Sequence, residues 1–541
     1  MRLWGSQRSA DVTAPLLLMA VLLVALLGGC AAPPDAADGD DSGAAATTCD
    51  PLTVTLTEEW LEADLPAYED RRHTPAGVAL GDIDGDGWLD ALMAFGGGAT
   101  ALRNDGTGRL VLAPEWSSAG APLPKASAAS LVDLDGDGDL DFYLGREDGQ
   151  EDVVLYNRLR DGGGFVSAPI AGSTSATSTG AFADFDGDGD LDLFLAATTT
   201  DTEGLQVIDG EADGDGCMLF LQDDAGIFVD ETARLPAHVL NGWTFQGSPI
   251  DADGDGDLDV YMANDFGAWL LPNQLLLNDG HANFTVADDC HCDLVMFGMG
   301  AAVGDANGDA LPDLYVTDLG GPNLLVNDGV GAFYDATLAL GADVPFSPTN
   351  LTSWGAAFVD LDQDSWNDLA VTFGQLGQPE IIEHLDGGAG WEDGPLQPDV
   401  LLLGSAAGFT RVDVGWNDPS RTRAVAVGDL DRDGRPDLVT AGKYFLRQWH
   451  TDGGCAPGVR VTVDAGQKNR QGLGSRVQVT LGERVLTQWM LPSTTGSSSA
   501  PELYFGLGGA AGAARVTVTW PDGTTSEAED VSAGDLLAFV K

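Results

Sequence analysis

The stretch Asp82-Ile83-Asp84-Gly85-Asp86-Gly87-Trp88-Leu89-Asp90 decides the architecture. If this loop curls, the carboxylates at positions 1, 3, 5 and 9 converge on one point. Gly87 at position 6 supplies the turn, and the carbonyl of Trp88 at position 7 adds a further ligand. Hard oxygen donors in this number suit Ca2+. The first half matches an EF-hand loop, but an EF-hand closes with Glu at position 12 and sits between helices. Here Asp90 closes the site and position 8 opens an apolar run, so the loop joins two strands.

The pattern recurs along the chain. A second copy offers Asp133, Asp135, Asp137, the Asp139 carbonyl and Asp141. The third offers Asp184, Asp186, Asp188, the Asp190 carbonyl and Asp192, and the fourth Asp251, Asp253, Asp255, the Asp257 carbonyl and Asp259. Another full copy holds Asp429, Asp431, Asp433, the Arg435 carbonyl and Asp437. Two copies are degenerate. One has Asp305, Asn307, Asp309, the Leu311 carbonyl and Asp313, with Ala310 at the turn. The other has Asp360, Asp362, Asp364, the Trp366 carbonyl and Asp368, with Ser365 at the turn. Successive copies start 51, 51, 67, 54, 55 and 69 residues apart, so each heads a unit of about fifty residues.

A small-residue run precedes each loop (Val78-Ala79-Leu80, Ala181-Phe182-Ala183) and a bulkier one follows it (Phe142-Tyr143-Leu144, Leu193-Phe194-Leu195). Several units add Asn-Asp-Gly, at Asn104, Asn278 and Asn327, a tight-turn signal between strands. Each unit reads as a four-stranded antiparallel meander the size of one propeller blade. Strands converging on an axis are crowded and take Ala and Gly; the next strand outward takes Phe, Tyr and Leu. The expected fold is all-β: a seven-bladed propeller over residues 51–455, closed so that no edge is exposed, followed by a small β-sandwich over 456–541. The last blade lacks a strand, which Leu52–Leu56 can supply. A Cys49–Cys455 disulfide would then lock the ring.

The charge agrees with this reading. There are 85 acidic residues against 25 Lys and Arg, a formal charge of −60, and 27 of the acids stand at ligand positions. Such a surface excludes nucleic acid as a partner. Carboxylates crowded in this way repel strongly without a cation. Five to seven structural Ca2+ ions are expected, with the two degenerate loops the weaker binders.

Residues 1–29 read as an export signal: Arg2 and Arg8, then an apolar run from Ala14 to Leu27, too short for a span of ~20 residues. The run ends in Leu27-Gly28-Gly29-Cys30, which resembles the lipobox of bacterial lipoproteins and implies a lipid on Cys30. Ala31 and Ala32 favour the outer membrane or cell surface. Residues 30–50 read as a flexible tether, letting the body float on the order of 25 Å from the bilayer. Export permits disulfides. Of the remaining cysteines, Cys217 is expected to bridge to Cys290 or Cys292. The alternative, half of a metal site at Cys290-His291-Cys292, has no second pair at zinc-like spacing.

The repeats resemble the FG-GAP/VCBS type of integrin α-subunit propellers, in which the same loop binds calcium between the first two strands of a blade. Phe297-Gly298-Met299-Gly300-Ala301-Ala302-Val303-Gly304-Asp305, with Asn323 to Gly329 after it, looks like the cartilage-acidic-protein (CRTAC) family of secreted propellers. Asn469-Arg470-Gln471-Gly472-Leu473-Gly474, Phe505-Gly506-Leu507-Gly508 and Trp520-Pro521-Asp522-Gly523 resemble the ASPIC/UnbV domain that follows propellers there.

No HExxH pair, G-x-S-x-G elbow or Walker loop occurs. The expected function is binding of a protein or glycan through loops on one propeller face, with the insertions at about Thr198–Gly216 and Gly374–Pro395 as candidate surfaces. The alternatives are a carbohydrate-active enzyme at the central channel and an envelope scaffold without a diffusible ligand.

Overall fold

The computed structural model describes residues 49–61, 76–95, 98–116, 123–146, 149–199, 204–208, 214–344, 352–374, 398–416, 422–442, 445–466, 468–491, 497–509 and 514–541. The export signal and Cys30, most of the tether, and nearly all of the insertion at 374–395 lie outside these residues.

Seven four-stranded antiparallel sheets follow one another, numbered here as blades 1 to 7. Their first strands are Gly77–Gly81, Ala128–Val132, Thr177–Ala183, Trp243–Ile250, Gly298–Gly304, Ser353–Val359 and Thr422–Gly428. Each first strand packs against that of the next blade, and the seventh against the first, so the ring closes. It is a seven-bladed β-propeller. The second strands begin at Asp90, Asp141, Asp192, Asp259, Asp313, Asp368 and Asp437. Position 9 of every acidic loop is therefore the first residue of a second strand, and all seven loops lie at the same end of the ring.

Residue size along the repeat has a steric cause. A Cβ on Gly180 in blade 3 would lie 2.4 Å from the ring of Tyr143 in blade 2. One on Gly247 in blade 4 would lie 2.5 Å from Phe194 in blade 3. Large second-strand side chains thus lie across glycines of the next blade's inner strand, and both rings are fully buried.

The last blade is closed by the amino-terminal strand Asp50–Leu61, antiparallel to Phe445–Gly454. The strand buries Leu52, Val54 and Trp60. Cys49 and Cys455 are disulfide-bonded at its end. Cys49 and Asp50, at the end of the expected tether, are thus part of the ring's closure.

The other disulfide differs from expectation. Cys290 is bonded to Cys292, and Cys217 is a free, buried thiol. His291 adopts a φ of 54°, and the chain turns there so that its two neighbours' sulfurs meet. Cys217 sits in the third strand of blade 3 and packs in the core between blades 3 and 4. Cys290 and Cys292 pack instead between blades 4 and 5.

Residues after 456 form two sheets. Val459–Asp464 pairs with Leu503–Phe505 and, in parallel, with Leu536–Val540. Arg476–Leu481 lies between Arg484–Trp489 and Ala514–Thr519, and the latter pairs with Thr525–Val531. Val461, Val477, Val479, Val516, Val518 and Trp520 fill the space between them. That core continues into Val132, Leu134 and Leu191 of blades 2 and 3.

Candidate metal centres

Each acidic loop is held by its own carboxylates. In the first, Asp82 accepts the N–H groups of Gly85 and Gly87, Asp84 that of Asp86, and Asp86 that of Trp88. The position-5 carboxylate accepts the N–H of position 7 in every copy, through Asp137, Asp188, Asp255, Asp309, Asp364 and Asp433 as well. Each peptide so held bends the chain around the carboxylates. Glycines at positions 4 and 6 make the bend at low cost: Gly85 has φ 76° and Gly87 φ 86°. The degenerate copies keep the same bend with fewer glycines: the first retains Gly308 at position 4 (φ 80°) and the second has none. Ala310 holds φ 70°, Gln363 59° and Ser365 81°.

Position 9 does something the sequence pattern alone did not suggest. One oxygen of Asp90 accepts the N–H of Ile83, at position 2 of its loop, and the other that of Asn104, at the end of the third strand. Asp141, Asp259 and Asp313 repeat both contacts with Asn157, Asn278 and Asn327. Asp192, Asp368 and Asp437 keep the position-2 contact. The asparagines then reach to the neighbouring blade. Asn104 Nδ2 donates to the Leu430 carbonyl of blade 7, Asn157 to Ile83 of blade 1, Asn278 to Phe185 of blade 3 and Asn327 to Ala252 of blade 4. Each acceptor is position 2 of the preceding blade's loop. The Asn-Asp-Gly signal was legible as a turn, but its Asn also ties blade to blade.

The ligand atoms converge. Oxygens of Asp82, Asp84 and Asp86 lie within 4.8 Å of one another, as do those of Asp133, Asp135 and Asp141, of Asp184, Asp186 and Asp192, and of Asp251, Asp253 and Asp255. In the seventh loop Asp431 and Asp433 are joined by His450, a residue the sequence motif did not point to. Its Nδ1 lies 3.2 Å from Asp437 and 3.3 Å from Asp431. Burial pushes the position-9 carboxyls Asp90, Asp141, Asp192, Asp259 and Asp313 up to about 8, with neighbouring carboxylates adding to the shift. Asp133 and Asp184 at position 1 rise to about 6, again chiefly through burial. Two buried oxygens, Asp257 Oδ1 and Asp429 Oδ1, have no hydrogen-bond partner. Desolvated, clustered, acceptor-only oxygens of this kind fit a hard divalent cation. Not every carboxylate is left to a cation: Arg158 pairs with Asp135 and Asp137, and Arg160 with Asp139.

A second set of carboxyls works at the opposite strand ends. Asp152 accepts from the Tyr143 hydroxyl, the Arg146 N–H and the Thr177 hydroxyl of blade 3. Asp399 accepts from the Phe373 N–H and the Thr422 hydroxyl of blade 7. Burial raises both to about 7.

Comparison with known families agrees with this anatomy. Residues 82–144, 133–195 and 251–316 match the FG-GAP-like repeat, and residues 465–541 match the family described as ASPIC and UnbV. The chain carries FG-GAP-like repeats and an ASPIC/UnbV domain. No curated protein matches it. Among solved structures it is similar to a lectin of Agrocybe aegerita that recognises non-reducing terminal N-acetylglucosamine. Identity there is 18% and the TM-score 0.41, over 64% of this chain and 81% of that one. BBS1N in complex with ARL6DN gives 8% identity and a TM-score of 0.41, over 73% and 96%. The V. cholerae biofilm matrix protein Bap1 gives 14% and 0.29, over 90% and 76%. Likenesses this distant say nothing about a ligand.

Proposed function

We propose that this chain is a calcium-stabilised propeller of the cartilage-acidic-protein type that binds a protein or glycan through the ring face opposite its acidic loops. It is exported and held at the outer membrane or cell surface by a lipid on Cys30. The observation that carries the choice of face is the position of the carboxy-terminal domain. Its side chains contact loops 2, 3, 6 and 7, through Gln471 on Asp133, Lys468 on Asp190, Arg484 on Ser365 and Arg460 on Asp429. Four of the seven loops are therefore engaged by this domain, and the reading places the partner on the opposite face.

The second strands of blades 3 and 6 end at Ala197 and Phe373, away from the acidic loops, and in sequence the two long insertions come after them. Part of the first insertion is the short helix Gly204–Ile208. The calcium reading rests on the convergent carboxylates, and the anchor on the Leu27–Cys30 motif. The test is capture of soluble protein, in millimolar calcium, on a glycan array and on envelope extracts, with variants shortened at either insertion. Binding that survives loss of both insertions but falls when the carboxy-terminal domain is altered would overturn the choice of face. Mass spectrometry of the mature amino terminus checks the lipid.

A further inference from the structure

The carboxy-terminal domain makes two kinds of contact with the ring. One is a backbone seam. Ser498 N donates to Val78 O and Leu80 N to Ser498 O, both at 3.0 Å, so Ser498 bridges the inner strand of blade 1 in parallel. Two residues on, Ala500 N donates to Val427 O on the inner strand of blade 7 at 2.9 Å. Residues 498–500 thus join the first blade to the last, at the junction where the ring closes. Beside them, Met490, Ala500 and Leu503 face Val303, Phe358 and Val427 on the inner strands of blades 5 to 7 across a small cavity.

The other kind of contact is with the acidic loops, through their side chains as well as their backbone. Gln471 accepts from Asp133 N, and Arg470 Nε donates to Gly136 O. Gly506 N donates to Asp360 Oδ2, Gly508 N to Gln363 O, and Gly458 N to Gln363 Oε1. Tyr504 accepts from Asp429 N. Arg484 stacks 3.7 Å over Trp366. Residues 456–541 hold seven Lys and Arg against eight Asp and Glu, in a chain where acids outnumber bases 85 to 25. Four of those seven cations, Arg460, Lys468, Arg470 and Arg484, are placed at acidic loops. Arg460 holds Asp429 Oδ2 while the buried Oδ1 has no partner, so one carboxylate can serve the domain and a cation together.

We propose that the carboxy-terminal domain is a calcium-gated clasp: it closes the ring at the seam of blades 1 and 7 only while loops 2, 6 and 7 are shaped by bound calcium. Without the ion, the carboxylates of a loop repel, the bend opens, and the groups that receive Gln471, Gly506, Gly508 and Tyr504 move away. Coupling of this kind is reciprocal, so the docked domain raises the calcium affinity of the loops it touches. The inference rests on the calcium reading above but is separable from it.

The test is hydrogen exchange on the full chain along a falling series of free calcium, with bound calcium counted in the same samples. The amides of Leu80, Gly458, Ser498, Ala500, Gly506 and Gly508 are expected to lose protection about tenfold or more, at higher free calcium than second-strand amides such as those of Leu193–Leu195. Tyr504→Phe removes the acceptor of Asp429 N on loop 7 with no change of charge and little change of volume, so the variant should fold. It should weaken a subset of calcium ions about fivefold. Calcium loss with unchanged protection of those six amides overturns the clasp and leaves the calcium reading intact. So does loss of protection only together with the whole ring, or an unaltered calcium titration in the Tyr504→Phe variant. Absence of calcium uptake overturns both.

Discussion

Removing the Cys49–Cys455 disulfide tests how the ring is closed. The two residues are 406 apart in sequence, and the chain-entropy model puts a cross-link over a loop of that length at about 6 kcal/mol at 25 °C. Measured disulfides more often contribute ~2–4 kcal/mol. The seam also survives the cut. The closing strand keeps its ladder from Asp50 opposite Gly454 to Leu61 opposite Phe445, and its buried Leu52, Val54 and Trp60. The expected cost of Cys49→Ser, Cys455→Ser or both is therefore about 3–6 kcal/mol, without loss of the fold. At an unfolding entropy of ~2.1 cal/mol/K per residue, a body of this size shifts by about 1 °C per kcal/mol. Calorimetry in excess calcium should show each single variant and the double variant melting about 3–6 °C below the parent. The three drops should coincide, because they remove the same bond. A double variant within about 1 °C of the parent would refute the reasoning. So would a costly Cys455→Ser beside a harmless Cys49→Ser, which would assign the effect to packing.

Other outcomes follow from the same geometry. Carboxyls whose folded pKa lies above the unfolded value of ~3.8 stabilise the protonated fold at acid pH, and that contribution is lost as pH rises through the folded value. With Asp90, Asp141, Asp192, Asp259 and Asp313 pushed up to about 8 and Asp152 and Asp399 to about 7, metal-stripped protein should melt progressively lower from pH 5 to pH 8. Excess calcium should flatten the curve, and a flat or rising metal-free profile would contradict this. Gly180→Ala places a methyl 2.4 Å from Tyr143 and should cost about 1–3 kcal/mol in chemical denaturation; a neutral result would show that blades 2 and 3 separate more easily than described. Ala310 holds φ 70°, so Ala310→Gly should raise stability by about 0.5–1 kcal/mol, read as a higher melting temperature; a lower one would deny the bend.

Much of the ring was legible because the acidic loop fixes a strand on each side of it. Position 9 is both a carboxylate and the start of a second strand, so one nine-residue pattern located the blades and the face that carries the loops. The closing strand was legible because Leu52–Leu56 alternates while the last blade lacks a partner. What stayed hidden depends on contacts between distant parts of the chain. Nothing around His450 marks it as a neighbour of Asp431; strand pairing alone brings it there. The Asn–carbonyl ties between blades need the ring's curvature. The Cys290–Cys292 bond needs the local turn at His291, and spacing alone does not show that Cys217 packs between a different pair of blades. Docking of residues 456–541 on the loops is likewise a consequence of tertiary placement.

Direct titration of metal-stripped, full-length protein with calcium, followed by thermal melting of the same samples, bears most closely on the central claim. The calcium reading proposed above predicts uptake of five to seven ions per chain at or below millimolar calcium, with each bound ion contributing about 2.7 kcal/mol at a hundredfold excess over its Kd and a melting temperature that climbs as the loops fill. No uptake at millimolar calcium, together with a melting temperature that chelator leaves unchanged, would contradict it.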